Sequence, residues 1–116
     1  MNSRGERIRK TLIKELSDII LHKVKDPRIN GIISITDVEL SQDYKYAKIY
    51  ISIFGESETK QEIMDAIEES GSFIRGELGK RIRLRFTPEL RFYLDESVEK
   101  AQKINDLLDK ISKGEL

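Results

Sequence analysis

The fold of this chain is decided by the stretch Phe73–Phe92, which reads FIRGELGKRIRLRFTPELRF. Its first part has the composition of a helix end, and its second part alternates arginine with apolar residues. Alternate side chains of a strand point to opposite faces, so Arg81, Arg83 and Arg85 are expected on one face and the apolar residues on the other. We predict a strand with one buried face and one row of guanidinium groups, each able to donate paired hydrogen bonds to a phosphate.

Charge is sorted along the chain, although the formal net charge is zero. Residues 1–28 contain eight Lys or Arg and four Asp or Glu, and residues 75–91 contain six and two. The rest of the chain is acidic in balance. This distribution predicts a basic surface, with the first helix beside the arginine strand, and an acidic remainder.

Size and composition limit the class of protein. At 116 residues the chain is expected to form one domain, residues 1–116. The absence of cysteine removes disulfides and thiolate nucleophiles and fits a reducing cytosol. No apolar run approaches the roughly 18 residues that span a bilayer. We therefore expect a cytoplasmic protein, and a monomer, because the sequence offers no self-complementary apolar patch.

A first helix is predicted from Ser3, which can cap it, to about Lys25. Asp26-Pro27 ends it, because the residue before a proline avoids helical angles and proline donates no hydrogen bond. The single histidine, His22, falls near its end, where a cation suits the helix dipole. The buried stripe of this helix is expected to consist of Ile8, Leu12, Leu16, Ile19, Ile20 and Val24.

Two strands follow, at about residues 32–41 and 45–54, close enough to pair as a hairpin. The alternation of the first strand changes phase, which is explained by a bulge near Asp37 or by burial of one end on both faces. The apolar face of the second strand consists of Ala47, Ile49, Ile51 and Ile53. Tyr46 and Tyr50, on its other face, have the chemistry to stack bases. We prefer the simpler interpretation that this face is covered or half-exposed.

A helix interrupted near its middle is predicted from Lys60, after a capping box at Thr59–Glu62, to Leu78. Its apolar face consists of Ile63, Ile67, Ile74 and Leu78. Glycine flanked by serines weakens a helix, so we expect a kink at Ser70, Gly71 and Ser72. Gly79 suits a left-handed cap at the end of the helix. The literal Gly-x-x-Gly at Gly76–Gly79 is for that reason interpreted as a helix end rather than a phosphate-binding loop.

The arginine strand is expected to run from Arg81 to Leu94, with Pro88 placing part of it at a sheet edge or a bulge. Asp95 or Ser97 then caps a last helix that ends near Ser112. Its inward face is expected to consist of Val98, Ala101, Ile104, Leu108 and Ile111. The order helix, strand, strand, broken helix, strand, helix predicts an α+β domain with a three-stranded sheet.

Short segments distributed along the chain carry a resemblance to a known family. They are Lys25–Arg28, Ile35–Ser41, Phe73–Arg75, Leu78–Arg81, Arg83–Arg85 and Pro88–Phe92. In this order they resemble the ribosome-binding factor A family. The element order is similar to a type II KH domain with an added C-terminal helix.

The resemblance implies a bacterial assembly factor that binds the small ribosomal subunit and its rRNA late in maturation. Members support processing of precursor small-subunit rRNA and matter most in the cold. The resemblance implies no catalytic activity, cofactor, membrane or small-molecule substrate. The family replaces the Gly-x-x-Gly loop of KH domains with a helix kink of pattern Ala-x-Gly. Those two positions are Ser70 and Ser72 here.

Basic side chains are the main candidates for RNA binding, because Lys and Arg gain free energy by releasing phosphate counterions. The set comprises Arg4, Arg7, Lys10, Lys14, Lys25, Arg28, Arg75, Lys80, Arg81, Arg83, Arg85 and Arg91. A solvated charged face is the alternative for any such set. The resemblance favours RNA.

Two further function classes remain open at this point. Asp37, Glu39 and Asp43 supply hard oxygen ligands that could hold Mg²⁺ in a metal-dependent RNA-processing enzyme. An exposed hairpin rim explains them equally well, and the sequence has no catalytic triad, phosphate loop or zinc spacing. A protein-interaction module that uses the acidic surface is the third possibility.

Overall fold

The structure is a computed structural model that describes residues 3–114, apart from the side chains of Ser3 and Val98. The element order is helix, strand, strand, broken helix, strand, helix, as expected. The elements are α1 (Ser3–Asp18) with a π-helical turn (Ile19–Lys23), β1 (Ile33–Leu40), β2 (Tyr46–Ile53), α2 (Ser57–Glu69), α3 (Gly71–Arg81), β3 (Glu89–Leu94) and α4 (Ser97–Ser112).

Helix α1 buries the stripe predicted for it. Leu12, Leu16 and Ile19 are fully buried, and Ile20 nearly so. The outer members of the predicted stripe are half-buried against the same core. The helix closes with a π-helical turn in which the Val24 N–H donates to the Ile19 carbonyl at 3.0 Å. The predicted cap by Ser3 lies outside the described side chains.

Strands β1 and β2 form the predicted antiparallel hairpin. Their register shifts between Ile35 and Asp37, which confirms a bulge there. The extra residue is Thr36, whose hydroxyl donates to the Asp95 carboxylate at 2.6 Å. The predicted apolar face of β2 lies in the core. The bulge therefore restores the apolar register of β1 and ties it to the end of β3.

Strand β3 pairs with β2 in parallel, from Tyr46 opposite Glu89 to Ile51 opposite Leu94. The sheet order is β1-β2-β3, so β2 is central. Helices α1, α2 and α3 cover one face of this sheet and complete the core with it. The opposite face carries the alternate residues of β2 and β3, which are exposed or half-buried.

The predicted strand does not extend over residues 81–88. Arg81 is the last residue of α3, and residues 82–88 are irregular. The Arg75 side chain donates to the carbonyls of Thr87, at 2.7 Å, and Pro88, at 3.1 Å, and Pro88 has no N–H to give. These two carbonyls accept hydrogen bonds from Arg75 and not from a neighbouring strand. The row of arginines on one strand face was therefore a wrong prediction.

The paired helices α2 and α3 are interrupted at Ser70, which has φ −89° and ψ 5°. Their predicted apolar face is fully buried. The capping-box prediction was wrong: α2 begins at Ser57, and its N-cap Glu56 makes no side-chain cap bond. The Gly79 cap was also wrong, because Gly79 lies inside α3. A Cβ on Gly79 would stand 2.9 Å from the Thr87 hydroxyl, so glycine lets the 82–88 loop approach the helix.

Helix α4 does not pack on the core, which overturns its predicted inward face. Residues 101–114 are all exposed, with Ile104 at 58% and Leu108 at 57%. Ala101 and Ile111 are exposed as well, and the Val98 side chain lies outside the described part. The physical reason is that α1, α2 and α3 already occupy the core face when the chain leaves β3.

Among the contacts described for residues 3–114, those that fix α4 to the body lie at its first turn. Lys60 on α2, which is 4% exposed, donates to Glu99 at 2.6 Å and Glu96 at 3.4 Å. The Asp95 carboxylate accepts the Ser97 N–H at 2.9 Å. The bond to Glu99 raises the pKa of Lys60. None of the helices in residues 3–114 is long and apolar enough to cross a bilayer.

Candidate nucleic-acid interface

The two basic segments of the chain meet in space. Arg7 and Thr11 of α1 line a cleft of about 220 Å³ together with Arg83 and Leu84 of the loop after α3. These positions are more than seventy residues apart in sequence, on the order of two thirds of the chain. The fold therefore brings the start of α1 beside the arginine-rich loop, as expected, although that loop is not a strand.

A second cavity, of about 450 Å³, continues from the first at Leu84. Three elements converge on it: the start of α1, the β1–β2 turn and the loop after α3. We call this region the basic end, and it consists of Arg4, Arg7, Tyr44, Lys45, Arg83, Arg85 and Phe86. Its chemistry combines five cations with two aromatic rings.

The β1–β2 turn is built to present Lys45. Asp43 accepts hydrogen bonds from the Ser41 hydroxyl at 2.7 Å and the Lys45 N–H at 3.1 Å, which lower the pKa of Asp43. Tyr44 has φ 61°, in the left-handed region that turns tolerate. The Arg4 guanidinium lies 5.8 Å from the centre of its ring. The turn therefore packs against the start of α1 through this cation–π contact.

Phe86 is the second aromatic ring of the basic end, and it is 48% exposed. The Lys45 ammonium and the Arg85 guanidinium lie 5.5 and 5.3 Å from its ring centre. This exposure corrects the prediction that Phe86 faces the core. Ile82 and Leu84, on the same loop, are half-buried, and Ile82 packs against the core.

Three arginines of the predicted RNA-binding set are engaged within the protein. Arg75 anchors the 82–88 loop through the two carbonyl contacts already described. Arg81 donates to Asp18 at 2.6 Å and to Glu15 at 3.1 Å, and so ties α3 to α1. The bond from Arg81, with a smaller effect of His22 at 2.8 Å, lowers the pKa of Asp18.

Arg28 is the third of these. It precedes the start of β1 and therefore lies at the other end of that strand from the β1–β2 turn. It bridges Asp26 at 2.7 Å and Glu69, the last residue of α2, at 2.8 Å. Both contacts raise the pKa of Arg28, with Asp26 the larger cause, and the pKa of Asp26 is lowered in turn. The guanidinium is thus surrounded by carboxylates, which disfavours a phosphate beside it.

The other members of the set are exposed at separate places. Lys10 and Lys14 lie on α1, beyond Arg7. Lys80 lies on α3, 3.9 Å from Glu77. Lys25 lies after α1, and Arg91 lies opposite Lys48 on the sheet face that the helices leave uncovered. Of the twelve, Arg4, Arg7, Arg83 and Arg85 therefore lie at the basic end, and Arg81 lines the same cleft as Arg7 while it is paired with Asp18 and Glu15.

The acidic residues proposed as Mg²⁺ ligands do not converge. Asp37 accepts from Arg9 at 2.7 Å and from the Val38 N–H at 2.8 Å, and Asp43 is used within the turn. Among the residues that the structure describes, no three Asp, Glu, His or Cys side chains are placed to hold a metal ion together.

The sequence interpretation missed Tyr44, Lys45 and Phe86. Tyr44 was assigned to the turn and Lys45 to the start of the second strand, both without a role, and Phe86 was assigned to the core. The available signal was an aromatic residue beside a cation in each of two loops, Tyr44-Lys45 and Arg85-Phe86. Because the loops meet only in the folded chain, the sequence alone does not join them.

Comparison with known sequences identifies relatives along nearly the whole chain. The sequence model of ribosome-binding factor A matches residues 4–108. Ribosome-binding factor A of Caldanaerobacter subterraneus subsp. tengcongensis is 44% identical over 115 residues, which cover 99% of this chain and 94% of that protein. The protein of the same name from Clostridium tetani is 45% identical over 112 residues, covering 97% and 93%.

Solved structures agree with these sequence matches. The solution structure of a putative ribosome-binding factor A from Thermotoga maritima matches with a TM-score of 0.72 and 32% identity, covering 84% of this chain and 93% of that one. The crystal structure of ribosome-binding factor A from Thermus thermophilus matches in fold with a TM-score of 0.69 and 24% identity, covering 80% and 97%. Together they confirm the predicted KH-like α+β fold.

A third structural match is a homology model of the Thermus thermophilus factor, fitted into a cryo-EM map of a 30S–ribosome-binding factor A complex. Its TM-score is 0.62 at 25% identity, and it covers 76% of this chain and 91% of that one. The sequence matches extend over both basic segments and all three strands. The chain belongs to the ribosome-binding factor A family.

Proposed function

We propose that this protein is a non-catalytic assembly factor that binds the small ribosomal subunit and its rRNA late in maturation and supports processing of precursor rRNA. The observation that carries this proposal is the meeting of two distant basic segments at the basic end. Family membership and the Thermus thermophilus relative fitted into a 30S complex support the same partner.

Binding at the basic end is electrostatic in this proposal. Arg7, Arg83 and Arg85 are exposed, with Lys45 beside them, and they would replace counterions along an rRNA backbone. The exposed cations elsewhere in the original set remain proposed secondary contacts; they are Lys10, Lys14, Lys25, Lys80 and Arg91. Arg28, Arg75 and Arg81 are instead proposed to hold the scaffold.

The interruption at Ser70 has a part in this arrangement. Ser70 separates α2 from α3, and α3 ends at Arg81, which bonds Glu15 and Asp18 of α1. The loop that follows then starts beside α1. We propose that Ser70, Gly71 and Ser72 keep the helix–kink–helix role of the family, although neither alanine nor glycine stands at the two usual positions.

The test is co-sedimentation with small ribosomal subunits over a range of salt concentrations. Arg83→Glu/Arg85→Glu should lower affinity at least tenfold and reduce the slope of log affinity against log salt by about two, because two phosphate contacts are lost. The matched control, Lys100→Glu/Lys103→Glu on α4, makes the same charge change away from the basic end. Salt-independent binding, or equal losses in both variants, would contradict the proposal.

The non-catalytic part is tested separately. Pure protein incubated with precursor rRNA and Mg²⁺ should leave the RNA intact, because the carboxylates of its described residues do not converge on a common metal position. Cleavage that is lost in Asp37→Asn/Asp43→Asn would favour the metal-dependent enzyme instead.

A further inference from the structure

The loop after α3 exposes an aromatic ring, Phe86, within the basic end, and electrostatic binding of a phosphate backbone does not need such a ring. Single exposed apolar residues are common on protein surfaces, so the exposure of Phe86 says little by itself. Its surroundings are distinctive, because cations from two separate segments, Lys45 and Arg85, lie over or beside the ring. Phe86 is thus an apolar surface inside a patch of positive charge.

The ring also stands between two cavities. On one side is the cavity of about 450 Å³ that Tyr44 and Lys45 line, and on the other is a cavity of about 570 Å³ along α3. Arg85 and Phe86 line both. Each volume falls within the usual range of small-ligand sites, roughly 300–1,000 Å³. A strand passing over the loop would therefore meet a concave surface on each side of the ring.

The α3 wall of the second cavity lacks side chains at the positions that would fill it. Gly76 lines this cavity, and a Cβ built on it meets nothing within 4 Å. Its helical position needs no positive φ, so neither packing nor backbone geometry within the protein calls for glycine there. A bare helix surface allows an extended ligand to approach the backbone closely.

We infer that the basic end binds a single-stranded RNA segment with one unpaired base stacked on Phe86. This inference rests on the proposed function and names the form of RNA that is recognised. Base stacking on an aromatic ring is stronger than an exposed cation–π contact, so a base displaces the cations from Phe86. Lys45 and Arg85 are then released to the phosphates on either side of that base.

The same geometry disfavours a regular duplex. Bases in an A-form helix are stacked on each other, and their edges in the deep groove are out of reach of side chains.

The carboxylate of Asp43 also lines the first cavity, but the Ser41 hydroxyl and the Lys45 N–H hold it within the turn. The phosphates therefore lie nearest to the cations of the loops.

The experiment uses the full chain and an RNA oligonucleotide of about ten nucleotides that contains one 2-aminopurine, whose fluorescence falls on stacking. The wild-type protein should quench this signal when the base is unpaired and leave it unchanged when a complementary strand pairs it. Phe86→Leu should abolish the quenching and weaken single-strand binding about tenfold, with an unchanged salt slope, because the phosphate contacts remain. The control Phe54→Leu, which changes a 75% exposed ring at the other end of β2, should behave as wild type.

A second variant tests the path of the strand. Gly76→Leu fills the cavity along α3 in a position with free space, so the thermal midpoint should not fall while affinity for the single strand drops several-fold. Unchanged affinity would overturn the placement of RNA on this side of the ring. Equal binding of a free 2-aminopurine nucleotide and the oligonucleotide would overturn recognition of a strand.

The outcomes separate this inference from the proposed function. If Phe86→Leu quenches like wild type while Arg83→Glu/Arg85→Glu loses subunit binding, the stacking site is wrong and the assembly factor stands. If duplex and single strand bind equally, the preference for an unpaired base is wrong. If neither RNA nor subunits bind, both proposals fall.

Discussion

Helices α1 and α4 have the same length, 16 residues, and each has an apolar stripe at helical spacing. The stripe of α1 is buried in the core, with Leu12 and Leu16 fully buried. That of α4 lies in solvent, with Ile104, Leu107, Leu108 and Ile111 each at least 50% exposed. The comparison teaches that periodicity identifies an amphipathic helix but not the surface that covers it.

The difference comes from what each helix meets. Helix α1 packs on the apolar face of the sheet and is tied to α3 through Arg81. Helix α4 follows β3 in the chain, and the apolar face of the sheet is covered by α1, α2 and α3. The first turn of α4 is held by Lys60. An isolated helix of this length is marginal in water, so the body of α4 gains little from the rest of the molecule.

The largest expected effect contrasts equivalent truncations in the two stripes. Leu16→Ala should lower the free energy of unfolding by about 2–5 kcal/mol, because it opens a cavity in a packed core. Leu108→Ala should change it by less than about 0.5 kcal/mol, since the side chain is already in solvent. Urea denaturation followed by far-UV circular dichroism measures both. Equal losses would mean that α4 is packed on the body in solution.

A smaller effect concerns the ion pair between Asp18 and Arg81, which joins α1 to α3. The ion pair described in the body of α4, between Asp109 and Lys113, stays within that helix and the residue after it. Arg81 and His22 lower the pKa of Asp18 in the folded protein. The unfolded value is about 3.9, so the stabilisation is complete above it and is lost as pH falls through the lower folded pKa. Asp18→Asn should be less stable than wild type at pH 6, with the gap closing below about pH 4. Midpoints of urea denaturation against pH measure it, with Asp109→Asn on α4 as control. A gap that widens in acid would contradict this account.

The smallest expected effect is that of removing most of α4. A chain that ends at Lys100 keeps Glu96 and Glu99 and therefore the contacts of Lys60. Its free energy of unfolding should lie within about 1 kcal/mol of wild type, because residues 101–114 are all exposed. Thermal and urea denaturation of the two chains give the comparison. A loss of several kcal/mol would show that the apolar stripe of α4 has a partner within the chain.

Local patterns predicted the hairpin well. The phase change within the first strand indicated either a bulge near Asp37 or burial of one end on both faces, and the structure has the bulge, at Thr36. The buried face of β2 followed from strict alternation. The interruption of the α2–α3 pair also depends on neighbouring residues, around Ser70. These features are set by backbone preferences and one apolar face, so they can be read from a few consecutive residues.

Features that depend on distant residues were not predictable. The contact of Arg81 with Glu15 joins positions 66 residues apart, and it ends α3 where alternation had indicated a strand. Arg75 removes two carbonyls from the sheet in the same region. At the candidate site, the sequence indicated the basic residues but not which of them form ion pairs within the protein. It also gave no way to join Tyr44 with Phe86.

The parallel pairing of β3 has a consequence for the order in which the chain becomes complete. While the protein is being synthesised, β1 and β2 can pair as soon as Ile53 is available. One edge of β2 then has no strand beside it until Leu94 has been made, because β3 comes after α2 and α3. For about a third of synthesis the nascent chain therefore exposes the hydrogen-bonding groups of its central strand.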